Sequence, residues 1–400
     1  MIDLDHLDLG PGRRLVVTTS PEGLAAVPAV RDPDGDWRRA RPGDGAAEAM
    51  LDMLCSVNGS AKSGAFTVIS WTGRSAAGER PITVDQTNES VIVGDAAVVK
   101  WATHLQSGPH PAPHRISALR AAGFRGMPAS WGLVTWQPAD GAETLVATID
   151  EYLPGAVDGW TWAVDLVTDA ARAGHPERIR DAAADVGALI AELHAALAGT
   201  ASVADQTEVA RWRDVAFETL ETAVSLSASV CRAVLRDRRA EIEQILDGLG
   251  DLGGTPVIEG HGDLHVGQVL LADGRFVITD FDGNPVLAAE ERMKPIPAAL
   301  DVAGMVQSFA HVAIVARKYT ELDGATLTEV NTLTRSTLLD SYTTRLTELG
   351  YAESYDPAAL RSLRLQQVLR EIIYAARHLA RWMYVPDAAL PALLDEGSAP

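Results

Sequence analysis

One stretch of the chain, residues 257–285, constrains the fold more than any other, and its sequence is VIEGHGDLHVGQVLLADGRFVITDFDGNP. Apolar, β-branched runs stand at residues 257–258 and 276–279, and such runs are typical of short buried strands. Polar side chains that can carry chemistry lie between and after these runs. They are His261, Asp263, His265, Gln268, Asp280 and Asp282. The pattern predicts two strands that hold acids, an amide and imidazoles in the adjoining loops.

The spacing of these polar residues indicates phosphoryl transfer. Asp263 and Gln268 are separated as are the catalytic-loop aspartate and the metal-binding asparagine of the pattern H-R-D-x-x-x-x-N. Asp280-Phe281 stands where D-F-G would follow, after a hairpin-sized insert with turn residues at 272–274. Phosphoryl transfer needs a carboxylate that orients and deprotonates a hydroxyl, and oxygen ligands that hold magnesium across the phosphates. The stretch supplies both kinds of group.

The same residues resemble a known family. HGDLHxGQ followed by DFxGxP is similar to the maltokinase branch of the aminoglycoside-phosphotransferase-like kinases, and DFDGNP resembles their bacterial relatives that phosphorylate glucosamine. The resemblance extends from about residue 81 to the C-terminus, and more loosely to the N-terminal region. It implies ATP and Mg²⁺ as cofactors and an α+β, bilobal, eukaryotic-protein-kinase-like fold with a small N-terminal α/β cap. We expect the cap over residues 1–75, a β-rich part of the N-lobe over 76–150 and a mostly helical C-lobe over 151–400.

Hydrophobic patterns predict the elements that precede the central stretch. They indicate a helix over residues 46–55 and mostly helices after residue 160. The predicted strands cover residues 14–19, 24–30, 65–71, 81–85, 90–93, 96–100, 133–136 and 145–149.

Composition argues against several classes of protein. The formal net charge of −20 disfavours a nucleic-acid partner, whose phosphates need a basic face. No apolar run is expected to span a bilayer, and the acidic first residues lack the pattern of a secretory signal. The two cysteines, Cys55 and Cys231, have no metal-ligand spacing and support neither a zinc site nor a disulfide framework. We expect a cytoplasmic monomer with no membrane partner.

The resemblance implies the residues that bind the nucleotide. Lys100 ends a predicted strand at the position of the phosphate-binding lysine. The main chain at Asp150, Glu151 and Tyr152 lies at the hinge that hydrogen-bonds adenine in this fold.

The segment DQTNE (85–89) takes the place of a phosphate-covering loop but contains no glycine. Its backbone amides would have to bind phosphate together with the polar groups of Thr87, Asn88 and Ser90.

The lysine partner of this family is absent from its usual position. In the family a helix glutamate pairs with the lysine, whereas here the aligned residue is His114, next to Arg115, on a helix expected to start near residue 113. No carboxylate occurs between residues 101 and 120. Either Lys100 pairs with Asp280 or with phosphate directly, or the alignment is wrong in this segment.

The central stretch supplies the catalytic roles that the resemblance implies. Asp263 accepts the hydrogen bond of the attacking hydroxyl and takes its proton. Gln268 and Asp280 bind magnesium, with glutamine in place of the usual asparagine, and Asp282 binds a second metal or a water on it. His265, two residues past the base, lines the acceptor site.

Four other polar residues are expected to be structural. His261 braces the catalytic loop through its ring nitrogens, and Asp301 anchors that loop. His194 is predicted to be a core histidine, and Asp158 a helix N-cap.

A polar stripe near the C-terminus predicts the acceptor pocket. On a helix, Gln367, Glu371, Tyr374 and His378 share one face, and Trp382 follows at its end. Such a stripe suits a polyol, and an aromatic ring beside it would stack on a pyranose. A solvent-exposed face is the alternative interpretation.

The identity of the acceptor stays open at the level of sequence. Glucosamine is the first choice, because Glu371 or Asp263 could pair with a 2-ammonium group. Maltose and an aminoglycoside antibiotic are the alternatives among kinases. A pseudokinase that only binds nucleotide is the alternative from another class, favoured by the missing helix glutamate and the loop without glycine.

Overall fold

The structure is a computed structural model that describes residues 2–21, 23–82 and 89–396. Its contacts divide the chain into two compact units. The first comprises Met1–Arg120, Met127–Ala156 and Asp280–Lys294, and the second comprises Ala121–Gly126, Val157–Thr279 and Pro295–Pro400. The three-part division at residues 75 and 150 stays a prediction.

The strands of the described residues are short, and most belong to antiparallel sheets. They are β1 (Ile2–Gly10), β2 (Arg13–Ser20), β3 (Gly23–Arg31), β4 (Trp37–Arg39), β5 (Gly59–Ser63), β6 (Phe66–Ser70), β7 (Glu79–Pro81), β8 (Glu89–Val93), β9 (Ala97–Trp101), β10 (Ser130–Trp136), β11 (Thr144–Glu151), β12 (Ser202–Val203), β13 (Pro256–Ile258), β14 (Val269–Ala272), β15 (Arg275–Ile278) and β16 (Ile296–Pro297).

The helices of the described residues are concentrated after residue 158. They are α1 (Ala46–Ser56), α2 (Ala112–Ala121), α3 (Gly159–Ala173), α4 (Glu177–Leu197), α5 (Gln206–Leu226), α6 (Val230–Asp237), α7 (Arg239–Asp247), α8 (Ala289–Arg292), α9 (Ala298–Tyr319), α10 (Gly324–Glu348), α11 (Leu360–Arg377) and α12 (Tyr384–Asp395).

The first unit is built from two antiparallel sheets and α1. One sheet has the order β1-β2-β3-β4 and the other has the order β5-β6-β10-β11-β9-β8-β7. The helix α1 buries Met50 and Leu54 in a hydrophobic core that also contains Leu15 of the first sheet and Trp101 of the second. Burial of such side chains is the main stabilising contribution, roughly 25 cal/mol per Å² of apolar surface. One core therefore joins both sheets.

The second unit is mostly helical, as the sequence predicts. The helix α4 packs along α10, and Gly187 permits this approach because a Cβ there would lie 2.4 Å from the carbonyl oxygen of Leu338. A three-stranded sheet (β12-β13-β16) and the hairpin β14-β15 complete the unit. The hairpin turn has positive φ at Asp273 (49°) and Gly274 (73°), the conformation of a two-residue type I′ turn. The hairpin predicted at this position is thus confirmed.

Three strands of the first unit were not predicted from the sequence, namely β1, β4 and β5. In β1 only the second half alternates as a half-buried strand should: Leu7 and Leu9 are buried and His6 and Asp8 are exposed, whereas Ile2 and Leu4 are exposed. The strand predicted over 81–85 lies partly outside the described residues, since the structure describes none of 83–88.

Two helices are long and apolar enough to cross a bilayer when judged by length and composition alone. By this criterion the expectation that no apolar run could span a bilayer was wrong. The two helices are Glu177–Thr200 and Ala298–Tyr319, and 56% and 78% of their apolar windows are buried inside the protein. Core helices of a folded domain pass the same test, and neither helix is a clear membrane span.

Candidate functional site

In the first unit, Lys100 lies between two carboxylates. It stands near the end of β9, directly opposite Ser90 of β8 and Thr148 of β11. Its Nζ atom is 3.3 Å from Oδ1 of Asp280 and 3.2 Å from Oδ2 of Asp282. The structure thus confirms one alternative from the sequence, that Lys100 pairs with Asp280, and adds Asp282 as a second partner.

Electrostatics keep Lys100 and Asp282 ionised. Burial alone would lower the pKa of Lys100, but the carboxylates of Asp282 and Asp280 raise it above its usual value. Burial likewise favours the neutral acid at Asp282, yet Lys100 holds the pKa of that carboxyl well below its usual range. Asp280 has a left-handed backbone (φ 66°), which is uncommon for a residue other than glycine and clusters at functional sites. The group is therefore a preformed, charged site.

The helix α2 starts at Ala112, close to the predicted position, and His114 is exposed on it. A second histidine, His110, was missed in the sequence, where nothing distinguishes it from its neighbours. Burial lowers the pKa of His110 to about 4, although Asp282 opposes this. A neutral imidazole therefore adjoins the charged group of Lys100 and Asp282.

The predicted hinge lies at the end of β11. The backbone N–H of Glu151 donates to Ala129 O (2.8 Å), and that of Tyr152 donates to Ala96 O (2.9 Å). Asp150 accepts a hydrogen bond from Ser130 Oγ (2.7 Å), and burial raises the pKa of Asp150 to about 6. Both amides thus already have acceptors, and adenine binding at this hinge stays a prediction.

The predicted phosphate-covering loop lies largely outside the described residues. Asp85, Thr87 and Asn88 fall within 83–88, which the structure does not describe, whereas Glu89 pairs with Arg39. Ser90, which follows, faces Lys100 across the sheet.

In the second unit, Asp301 organises the catalytic loop. Its carboxylate accepts hydrogen bonds from the backbone N–H groups of His261 (2.7 Å) and Gly262 (2.8 Å), and it lies 3.3 Å from His194 Nε2. His261 Nε2 lies 3.0 Å from the carbonyl oxygen of Thr279, which ties the loop to the end of the following hairpin. The structural roles predicted for Asp301, His261 and His194 are confirmed.

The N-cap predicted at the start of α3 is confirmed as well, because the side chain of Asp158 accepts a hydrogen bond from Thr161 N.

The loop itself carries Asp263, His265 and Gln268. The Nδ1 atom of His265 accepts from Gly267 N (3.0 Å), and burial lowers the pKa of His265 to about 4. His265 is therefore neutral at pH 7, with its proton on Nε2. Gln268 is fixed through its main chain, because its carbonyl oxygen accepts from Thr279 N (2.9 Å).

Arg370 of α11 is a further charged residue near this loop that the sequence did not reveal. Burial lowers the pKa of Arg370, and the negative charge of Asp263 opposes that shift. Asp263 is therefore within electrostatic range of Arg370, the residue before Glu371 on α11. The stripe of α11 and the catalytic loop thus contribute to the same region of the second unit.

The polar stripe divides into a clustered half and an exposed half. Glu371 accepts hydrogen bonds from Gln367 Nε2 (3.3 Å) and from Trp382 Nε1 (3.2 Å). Tyr374 is 44% exposed and His378 is also exposed, because α11 ends at Arg377 and turns away from helical geometry at His378. The structure brings together Gln367, Glu371 and Trp382 and leaves the other two at the helix end.

Trp160 completes the clustered half, and sequence reasoning missed it although it lies two residues after the predicted N-cap Asp158. Its ring packs edge to face against Trp382 at a centroid distance of 5.3 Å. Burial raises the pKa of Glu371, while Trp382 and Gln367 oppose the shift. A half-buried carboxylate beside aromatic rings is suited to a cationic sugar.

The donor set fits magnesium held mainly by nucleotide oxygens. Among the described residues no group of three or more His, Cys, Asp or Glu side chains could hold a metal ion. Magnesium, however, commonly takes one or two protein carboxylates together with phosphate oxygens and waters. Asp280 and Asp282 already share one cation, the Lys100 ammonium, and so could provide such ligands.

Comparison with known proteins gives consistent matches. Residues 80–315 match the sequence model of the phosphotransferase enzyme family. The chain is 68% identical over 401 residues to a glucosamine kinase of Mycolicibacterium smegmatis (strain ATCC 700084 / mc(2)155), which covers 100% of both chains. It is 43% identical to a glucosamine kinase of Streptacidiphilus jiangxiensis over 98% of this chain and 90% of that protein.

A solved structure described as glucosamine kinase in complex with glucosamine, ADP and inorganic phosphate is also similar. It matches with a TM-score of 0.86 and 42% identity, over 98% of this chain and 93% of that chain. The predicted α+β, bilobal, kinase-like fold is thereby confirmed.

Proposed function

The chain belongs to the phosphotransferase enzyme family, and on this premise we propose that it is an ATP-dependent kinase that phosphorylates glucosamine. The observation that carries the proposal is the 68% identity, along the whole of both chains, to a glucosamine kinase. The products we propose are glucosamine 6-phosphate and ADP.

We propose Asp263 as the residue that orients and deprotonates the acceptor hydroxyl. Its loop is held by Asp301 through two backbone N–H groups, so the carboxylate has a fixed position. Because the transition state of phosphoryl transfer is loose, positioning contributes more than basicity. The carboxylate accepts the hydroxyl proton as the new oxygen–phosphorus bond forms. His265, neutral and buried, is proposed to donate from Nε2 to a sugar oxygen.

Lys100 is proposed to bind the phosphates of ATP, with the polar group of Ser90 opposite it on the sheet. Magnesium, when bound, neutralises the charge of the phosphates. Gln268, Asp280 and Asp282 are the residues proposed to hold it. The hinge at Asp150, Glu151 and Tyr152 is proposed to bind adenine through its main chain.

The acceptor site is proposed at Glu371, Gln367 and Trp382. The carboxylate of Glu371 lies where an ammonium group would gain a charge-assisted hydrogen bond, while the Trp382 ring offers an apolar face to a pyranose. Tyr374 and His378, which are exposed, are proposed to contact the sugar only at its edge.

Three finer assignments are also proposals. The motif HGDLHxGQ supports the maltokinase-like branch within the family. A cytoplasmic location is supported by the absence of a clear membrane span among the described residues. We propose a monomer, with no nucleic-acid partner, on the strength of the net charge of −20.

The acceptor is tested by measuring ATP turnover with glucosamine, maltose and kanamycin in parallel. We expect the largest kcat/KM with glucosamine, because only this small sugar matches the Glu371 carboxylate with an ammonium group. A larger kcat/KM with maltose or kanamycin contradicts the proposal. Nucleotide binding without turnover of any acceptor supports the pseudokinase instead.

The catalytic role is tested with Asp263→Asn. We expect kcat to fall by a factor of about 10²–10⁴ while ADP affinity is retained, because the amide cannot accept the proton. The matched control is Asp273→Asn, in the exposed hairpin turn of the same stretch, where asparagine tolerates the positive φ. A kcat within threefold or so of wild type in the Asp263 variant argues against the assignment.

A further inference from the structure

On the helix α2, where similar kinases are expected to carry a glutamate, the residue after the aligned His114 is a buried arginine that binds main-chain oxygens. Arg115 is only 3% exposed. Its Nη1 atom donates to the carbonyl oxygen of Phe281 (3.1 Å), and its Nη2 atom donates to that of Arg292 (2.9 Å). One guanidinium therefore joins the two ends of the segment 281–292, which follows Asp280 and contains Asp282.

This segment is tied a second time by Arg292, which is 7% exposed. Its Nη1 atom donates to the carbonyl oxygen of Asp282 (3.1 Å), and its Nη2 atom donates to Gln106 Oε1 (2.5 Å). Gln106 in turn donates from Nε2 to Pro285 O (3.1 Å). The backbone on both sides of the Asp282 side chain is thus fixed by charge-assisted and amide hydrogen bonds.

The backbone shape of the segment also depends on Arg115. Gly283 has a φ of +72°, and a Cβ at this position would lie 3.0 Å from Arg115 Nη1. The chain therefore turns tightly around the guanidinium. A side chain other than hydrogen at position 283 would meet both backbone strain and this contact.

Asp282, in the segment that Arg115 of α2 binds, supplies the carboxylate that α2 itself lacks. Lys100 Nζ is 3.2 Å from Asp282 Oδ2, and the sequence has no acidic residue between positions 101 and 120. Arg115 and Arg292 contact carbonyl oxygens through the bonds given above, which leaves the Asp282 carboxylate turned to Lys100. The lysine thereby gains a second carboxylate besides Asp280.

We propose that Arg115 is a positioning residue for phosphate binding, which holds residues 281–292 so that Asp282 replaces the helix glutamate as partner of Lys100. Arg115 touches neither nucleotide nor sugar in this role and acts through Asp282. The helix α2 thus still acts on the phosphate-binding lysine, but it does so through a carboxylate that lies outside the helix and that the helix holds in place. The inference rests on the proposed kinase function.

The test compares Arg115→Lys, Asp282→Asn and the double variant with the wild-type full-length chain. A lysine keeps the charge but cannot bridge two carbonyl oxygens, because it lacks the planar fork of arginine. We expect each single variant to weaken ADP affinity about tenfold and to raise KM for ATP similarly, while KM for glucosamine stays within about twofold. The double variant should be no worse than the worse single variant, since both changes break one connection.

ADP affinity is measured by calorimetry with and without magnesium. If Asp282 orients Lys100, Asp282→Asn weakens ADP binding even in the presence of a chelator. If Asp282 acts only through bound metal, Asp282→Asn leaves the ADP affinity measured with chelator unchanged, and this result overturns the proposal. The matched control is Arg120→Lys on the same helix, where the guanidinium donates to Ser130 O (2.9 Å). This control should leave ADP affinity unchanged.

Two further outcomes overturn the proposal. One is an ADP affinity of Arg115→Lys equal to that of wild type, and the other is multiplicative losses in the double variant. Should Arg115→Lys not fold, the pair Lys100→Met and Asp282→Asn gives the same decision, because independent, multiplicative effects on ADP affinity contradict their pairing. ADP binding does not depend on the acceptor, so a failure here is distinguished from a failure of glucosamine turnover in the wild-type protein.

Discussion

At the scale of single residues, Glu371 is the one acidic side chain of α11, and its carboxylate is already engaged by two neutral donors, Gln367 and Trp382. Burial raises its pKa, which means that the surroundings do not fully compensate the negative charge. A sugar ammonium would supply that compensation. The same carboxylate gains much less from the hydroxyl of a neutral sugar.

We therefore predict that Glu371→Gln weakens glucosamine selectively. Loss of a charge-assisted hydrogen bond of about 1.5–3 kcal/mol should raise the KM for glucosamine by roughly ten- to a hundredfold, while KM for ATP is unchanged. Glutamine keeps the size of the side chain and an oxygen acceptor for Trp382. The measurement is steady-state kinetics with glucosamine and with a neutral hexose.

The control for this prediction is Glu353→Gln, an exposed acidic residue shortly before α11, which should leave both constants unchanged. Equal losses with glucosamine and the neutral hexose would show that Glu371 is not the partner of the amine.

Sequence reasoning found the residues whose chemistry is visible in a motif and missed those defined by tertiary contact. Asp263, Asp280 and Asp282 stand in a spacing that phosphoryl transfer requires. Arg370 and Trp160 have no such spacing. Their relation to Asp263 and Trp382 arises only when α11 approaches the catalytic loop and when residue 382 packs against α3. The pairing of Lys100 with Asp282 likewise depends on how α2 holds a distant segment.

At the scale of secondary-structure elements, two helices lie so close to the catalytic loop that only glycine fits at the contact. A Cβ at Gly304 of α9 would lie 2.3 Å from the carbonyl oxygen of Leu264, and one at Gly159 of α3 would lie 1.6 Å from that of Val266. Both oxygens belong to the loop that carries Asp263 and His265. The position of the loop is therefore set by backbone contact with α9 and α3.

We predict that Gly304→Ala damages catalysis through this contact. The methyl group forces α9 and the loop apart, which should cost about 1–3 kcal/mol of stability and lower kcat, because Asp263 moves from its productive position. Thermal unfolding and steady-state kinetics measure the two effects.

The control for the glycine prediction is Gly199→Ala, since a Cβ at Gly199 meets nothing within 4 Å. A Gly304 variant as stable and active as the Gly199 variant would mean that the loop adjusts freely.

Patterns in the sequence predicted elements well where one periodicity dominated. The helix α1 and the strands β2, β3 and β6 follow from apolar runs, whereas β1 was not predicted, because its leucines are interspersed with aspartates and form no apolar run. The end of α11 falls one residue before the last member of the polar stripe, since the helix ends at Arg377 and His378 is its C-cap.

At the scale of the whole molecule, the stretch that led to the functional interpretation is shared by both compact units. Asp263, His265 and Gln268 belong to the second unit, whereas Asp280 and Asp282 belong to the first, and the division falls after Thr279. A sequence motif shows neighbouring residues but not this division, because contacts with the rest of each unit decide it.

At the same scale, three histidines of the described residues have a pKa that the folded protein lowers well below the usual value. Burial lowers the pKa of His110 to about 4, of His265 to about 4 and of His311 to about 3. In an unfolded chain a histidine has a pKa of about 6.5, so unfolding takes up protons between about pH 4 and 6.5. Their contribution to stability is complete above pH 6.5 and is lost as the pH falls toward 4. Asp150 has the opposite effect. Burial raises the pKa of Asp150 to about 6, so its contribution to stability is lost as the pH rises.

We predict that the histidines dominate and that the unfolding midpoint falls as the pH is lowered from 7 to 5. At pH 5.5 three histidines each take up nearly one proton on unfolding while Asp150 releases most of one, which leaves a net uptake of about two protons. Calorimetric unfolding in buffers of different ionisation enthalpy measures this number directly. His311→Gln should reduce the uptake by about one proton, because it removes one of the three groups. A midpoint that rises on acidification, or a net release of protons, would show that the buried acids outweigh the histidines.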